Sequence, residues 1–141
     1  ALKFASEGAN IWHYTDLVID ENGQNTEKEI AALGVKVKGY ASNAANFEDT
    51  EKVVNQIKED FGSIDILVNN AGITKDGLMM RMSEAQWDAV LNVNLKSAFN
   101  FIHAVTPIMR ASAAVRYQLC LRGGVSAAMP DSATIRLRKP V

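Results

Sequence analysis

Within IDILVNNAG, residues 64–72, the run Ile66-Leu67-Val68 is apolar on both faces and stops at two asparagines, an alanine and a glycine. A strand with no polar face needs cover on both sides, which is the setting of a central strand in a parallel sheet flanked by helices. Parallel neighbours in turn need connections long enough to recross the sheet, usually helices. The fold open to this chain is therefore one in which strands and helices alternate.

The remaining sequence meets that requirement. Leu2, Phe4 and Ala5 ahead of Glu7-Gly8 read as the end of an amphipathic helix with a glycine for its C-cap. ANIWHYTDLVI, carrying Ile11, Trp12, Tyr14, Leu17 and Val18, reads as a strand that runs into the loop DENGQN. TEKEIAALG sets Ile30 and Leu33 three apart and stops at Gly34, which predicts a short helix; VKVKGYAS then alternates as a second strand. In NFEDTEKVVNQIKEDFG the residues Phe47, Val53, Val54, Ile57 and Phe61 share a helical face that ends at Gly62. After IDILVNN, the segment SEAQWDAVLNVNLKSAFNFIHAVTPIM keeps the helical period through Trp87, Val90, Leu91, Leu95, Phe99, Ile102 and Val105. This order predicts an α/β fold, a doubly wound parallel sheet.

Composition sets the function classes aside in turn. With 141 residues, 48% hydrophobic and 22% charged, the chain has the size and apolar content of one compact domain. Its 15 basic and 16 acidic side chains are interspersed and leave a formal net charge of -1, so no footprint for nucleic acid or an anionic membrane is expected. Cys120 is the single cysteine, and no apolar stretch approaches the roughly 20 residues that span a bilayer. A reducing, cytoplasmic location is the expectation. His13 and His103 have no metal-ligand spacing to each other or to Cys120, and Met79, Met80, Met82 and Met109 suit packing or a cleft edge, so no metal is expected. The opening ALKFASEGAN lacks the basic and apolar regions of a signal peptide and reads as a fragment that begins partway along a helix.

In open α/β sheets, ligands sit beyond the carboxyl ends of the strands, where Asn69 to Gly72 belong. Small residues there let a flat ligand approach the backbone, and amides offer donors and acceptors without charge. The same four residues also suit a loop tied down by Asn69 and Asn70 and turned at Gly72.

The longer stretch DILVNNAGITKDGLMMRMSEAQWDAVLNVNLKSAFN resembles the short-chain dehydrogenase/reductase family, and within it the bacterial 3-oxoacyl-acyl-carrier-protein reductases. The likeness extends over residues 1–110. It implies a partial Rossmann-type dinucleotide-binding domain, incomplete at both ends, with residues 111–141 as an atypical tail. It further implies NADPH as cofactor, with NAD still open because Asp16 stands where it could accept bonds from ribose hydroxyls. An acyl-carrier-protein thioester as substrate and a homo-oligomer, a tetramer in the family, follow from the same likeness. By position, Asn69, Ala71 and Gly72 match the motif that lines the cofactor ribose and supports the sheet. Asn43 falls beside the adenine, although an asparagine capping the next helix explains it as well. Asn94 matches the family's helix asparagine, which holds a water in the proton relay; Asn92 is its neighbour, and spacing to Leu95 selects Asn94. An amide inside an apolar helical face is unfavourable without a specific partner, which supports a particular task for Asn94.

Two departures bear on chemistry. The glycine-rich phosphate loop, TGxxxGxG in the family, is not in this sequence, and the likeness places the chain's first residue after it. The family also needs a serine and a Tyr-x-x-x-Lys pair, whereas Tyr14, Tyr40 and Tyr117 are followed four residues on by Val18, Ala44 and Leu121. Beyond residue 110 the likeness ends. With permitted codons, MPDSATIRLRKPV read one nucleotide out of register becomes NAGQCNYSATKAG, which contains the pair, and VRYQLCLRGG read in the other register becomes SVINCVSVVG. The tail is therefore expected to be an out-of-frame translation of a reductase gene, with a strand over residues 115–121 and poor order over PDSATIRLRKP, residues 130–140. A noncatalytic nucleotide-binding or interaction module is the reading from a different class.

Overall fold

The computed structural model describes residues 1–15, 21–111 and 117–119. The chain divides into two compact units, Ala1–Asn43 and Ala44–Val141.

The first unit holds helix α1 (Leu2–Ser6), strand β1 (Ile11–Thr15), helix α2 (Glu21–Ala31) and strand β2 (Val37–Ala41). α1 ends as its sequence predicts: the Gly8 N–H donates to the Ala5 carbonyl at 2.9 Å and the Ala9 N–H to the Phe4 carbonyl at 3.1 Å. β1 and β2 run parallel, with Ile11 opposite Val37 and Tyr14 opposite Tyr40, and α2 is the crossover between them. Among the described residues of this unit, Ala5, Ile30 and Tyr40 are the buried apolar side chains.

One expectation fails here. DENGQN was expected as a loop, yet Glu21–Ala31 is one continuous helix that begins inside it. Asparagine and glycine are poor helix formers, at up to about 1 kcal/mol per residue, and packing overrides such preferences. Ile30 is completely buried and Gly23 is buried too, while Glu21 places a favourable negative charge in the first turn. Leu33, expected on the packed face, lies beyond the helix end and is exposed.

The second unit begins with helix α3 (Phe47–Phe61), then strand β3 (Leu67–Asn69), a 3-10 turn (Met79–Arg81), helix α4 (Glu84–Leu91), a π-helical segment (Asn92–Lys96), helix α5 (Ser97–Ala111) and strand β4 (Tyr117–Leu119). α3 starts where Asn46 accepts the Asp49 N–H at 3.1 Å, and it ends at Gly62, whose φ of 81° favours a residue without a side chain. α4 starts on a capping box between Ser83 and Gln86. β3 and β4 pair in parallel, Leu67 opposite Tyr117 and Asn69 opposite Leu119, with the α4–α5 run as the crossover. The strand expected over residues 115–121 is thus present at Tyr117–Leu119, and the rest of the tail lies outside the described residues.

α3 packs on α5, and the core of this unit comprises Val53, Val54, Ile57, Ile64, Leu67, Val90, Ala98, Phe101, Val105 and Met109. The long helical run is apolar on a second face as well. Trp87, Leu91, Leu95 and Phe99, each four residues from the last, are all exposed. Sequence period groups these with Val90 and Val105, but the structure separates them. The fold is an α/β Rossmann-type arrangement, incomplete, with parallel pairs joined by helical crossovers. Among the described residues, no helix is long and apolar enough to cross a membrane.

Ile57→Ala should destabilise the chain by about 2–5 kcal/mol, because a completely buried side chain leaves a cavity. Gly62→Ala meets open space and should cost only about 1 kcal/mol, through its backbone alone. Urea unfolding of both variants checks the order.

Candidate functional site

β3 ends on Asn69, which is 7% exposed, and delivers Asn70, Ala71, Gly72 and Ile73 into the turn that follows. Asn70 is exposed, whereas Ala71, Gly72 and Ile73 are half-buried. The Nδ2 of Asn69 is a buried donor without a hydrogen-bond partner among the described residues. Buried polar groups are nearly always satisfied, so such a donor marks a place for an acceptor.

The segment carrying Asn94 is π-helical, a wider winding that proteins hold mostly in short pieces and frequently at functional sites. Asn94 is half-buried, and its side chain reaches the turn after β3. Its Oδ1 accepts the Ile73 N–H at 2.8 Å, and its Nδ2 donates to the Ile73 carbonyl at 3.0 Å. The amide thus pairs with the main-chain N–H and C=O of one residue, which lie in the two peptides flanking Ile73, as a residue of a neighbouring strand would. Ser97, one turn later, donates its hydroxyl back to the Val93 carbonyl and helps close the widened turn. Asn92, the competing asparagine, is exposed.

Asn43 lies at the other carboxyl-end turn, between β2 and α3, and is half-buried. The helix-capping explanation raised for it belongs to Asn46 instead, since Asn46 accepts the Asp49 N–H. Beside Asn43, the Ser42 hydroxyl is buried without a hydrogen-bond partner among the described residues. The carbonyl of Ala44 accepts from Asn100 Nδ2 at 2.9 Å and, more weakly, from the Thr50 hydroxyl at 3.4 Å. Thr50 also donates to the Asn46 carbonyl at 2.9 Å. Sequence reasoning does not single out Asn100. The signal that could have found it is the one that supported Asn94, an amide inside an apolar stretch, here AFNFI.

The helical run from α4 to α5 therefore reaches two consecutive carboxyl-end turns with two amides. Asn94 holds Ile73 after β3, and Asn100 holds Ala44 after β2. The expected residues Asn43, Asn69, Ala71, Gly72 and Asn94 carry no charge, so the turns offer donors, acceptors and close backbone approach in place of ion pairing. Asp16 lies outside the described residues.

The short chain dehydrogenase family profile matches residues 1–116. The chain is 44% identical over 108 residues to the 3-oxoacyl-acyl-carrier-protein reductase FabG of Thermotoga maritima, covering 77% of this chain and 43% of that protein. It is 41% identical over 110 residues to the FabG of Staphylococcus aureus, covering 77% and 44%. Among solved structures, a short chain dehydrogenase from Burkholderia cenocepacia in complex with NADP superposes with a TM-score of 0.70 at 29% identity, covering 75% of this chain and 43% of that one. The chain spans less than half the length of these relatives.

Asn94→Ala should release the turn after β3. The Ile73 amide should lose at least tenfold of its hydrogen-exchange protection, and unfolding free energy should fall by about 1–3 kcal/mol, because the main chain of half-buried Ile73 loses both partners. Exchange mass spectrometry with urea unfolding measures both.

Proposed function

The chain belongs to the short-chain dehydrogenase family, and on that premise we propose that it is part of a 3-oxoacyl-acyl-carrier-protein reductase. The reaction is NADPH-dependent reduction of a 3-ketoacyl thioester to the 3-hydroxyacyl thioester in fatty-acid synthesis, and the location is cytoplasmic. The observation that carries this reading is the 44% identity to a protein of that name across most of the chain.

The cofactor is NADPH, with NAD the alternative, and when bound it supplies the hydride. Asn69, Ala71 and Gly72 hold its ribose, and Asn43 lies beside its adenine. The residues present fit the nucleoside portion: the buried Asn69 Nδ2, without a hydrogen-bond partner among the described residues, can meet a hydroxyl acceptor. The diphosphate calls for backbone amides at a helix N-terminus, and the glycine-rich segment that makes them is not in this sequence. Asn94 serves the proton relay, oriented by its two bonds to Ile73. The exposed ladder Trp87, Leu91, Leu95 and Phe99 supports homo-oligomerisation, since its apolar area suits burial against another copy. The substrate is carried on acyl carrier protein. Residues 1–110 form the partial Rossmann domain, and residues 111–141 are the frameshifted remainder of it.

A noncatalytic nucleotide-binding module is the second reading, favoured by one observation: no Tyr-x-x-x-Lys pair stands in the sequence. The coding DNA separates the two. Translated in all three frames, the codons from Arg110 to Val141 should reveal the serine strand and the missing pair, and the frame-restored protein should oxidise NADPH with an acetoacetyl thioester faster than with sugar or steroid ketones. The 141-residue chain itself should turn over neither class. No pair in any frame favours the module, and preference for free ketones points to another short-chain alcohol or ketone dehydrogenase.

A further inference from the structure

Asn100 stands in the middle of α5 with 1% of its surface exposed. A buried amide in a helix is costly unless it is bonded, and this one makes a single long-range bond. Its Nδ2 donates at 2.9 Å to the carbonyl of Ala44, 56 residues earlier, while its Oδ1 is buried without a hydrogen-bond partner among the described residues. An apolar residue of similar shape serves packing at such a position as well or better. The polar choice therefore points to the peptide group it holds.

That carbonyl belongs to the residue directly after Asn43. The peptide joining Asn43 to Ala44 opens the turn, Asn46 closes it by capping α3, and Thr50, completely buried, donates to both Ala44 and Asn46 carbonyls. The Ala44 carbonyl, in the peptide that follows the Asn43–Ala44 peptide, is thus held from both α5 and α3, while α3 alone holds Asn46. Asn100 is the stronger of the two donors to Ala44, at 2.9 Å against 3.4 Å for Thr50.

We propose that Asn100 is a positioning residue for nucleotide recognition: by holding the Ala44 carbonyl it sets the backbone that presents Asn43, and so tunes affinity for the adenosine half of the ligand. This rests on the reading above that Asn43 lies beside the adenine. Asn100 touches no ligand itself. Its role is to α5 and the β2–α3 turn what the role of Asn94 is to the turn after β3.

The test uses the full chain, 5′-AMP as probe, and Asn100→Leu, which removes both polar atoms at similar volume. Three readouts are taken: AMP affinity by calorimetry, the unfolding midpoint, and the Asn43 backbone amide resonance. The expected result is a roughly tenfold weaker AMP affinity and a displaced Asn43 resonance, with the midpoint changed by only a few degrees. In the unmodified chain, the Asn100 side-chain NH₂ resonances should also shift when AMP is added, a readout that holds even where the variant fails to fold. Unchanged affinity with a lowered midpoint, or NH₂ resonances that ignore AMP, would overturn the inference and leave Asn100 as a packing residue. If the unmodified chain binds no AMP at all, the assignment of Asn43 to the adenine falls, and this inference falls with it.

Discussion

Two hydrogen bonds between the Asn94 side chain and the main chain of Ile73 join the turn after β3 to the helical run that follows it. The turn after β3 is a place where small residues leave the backbone without side-chain support. An amide is well suited to supply it, because it presents a donor and an acceptor at the spacing of a peptide and introduces no charge. The cost is a widened π segment in the helix, which forgoes regular winding from Asn92 to Lys96. Ile73 and Ala44 are both held by asparagines of the same helical run, so the geometry at both residues depends on one element.

The same run has a second consequence. One side of it is buried through Val90, Ala98, Phe101, Val105 and Met109, and it packs on α3. The other carries Trp87, Leu91, Leu95 and Phe99 in the open, with Phe99 lying 6.4 Å from Phe47 and 5.9 Å from His103 between ring centroids. A helix apolar on two faces positions functional groups with one and remains available for association through the other. This division explains how one element can serve both the interior and the proposed oligomer without a change of sequence character along its length.

Much of this was legible in the sequence, for physical reasons that differ from element to element. Gly34 and Gly62 end their helices with φ of 81°, a conformation that glycine reaches most readily, so their punctuation is readable without any tertiary knowledge. Asn94 drew attention because it matches the family's helix asparagine, and an amide in an apolar face that demands a partner supported the choice. Asn100 satisfies the same test and was missed, since no motif drew attention to it. The start of α2 was illegible: Asn22, Gly23 and Asn25 are turn formers, and only the burial of Ile30 and Gly23 explains their helical state. Periodicity also failed to say which apolar face of the α4–α5 run is covered, because both faces satisfy the helical spacing. Beyond residue 110, the expected strand is present at Tyr117–Leu119, paired in parallel with β3.

The most direct measurement is a backbone amide NMR titration of the whole 141-residue chain with NADPH. If the two asparagine-held turns carry the nucleotide, the largest perturbations will fall on Asn43, Ala44 and residues 69–73, while the amides of Trp87, Leu91 and Leu95 stay in place. Perturbations confined to that exposed helical ladder, or none at either turn, would contradict the account.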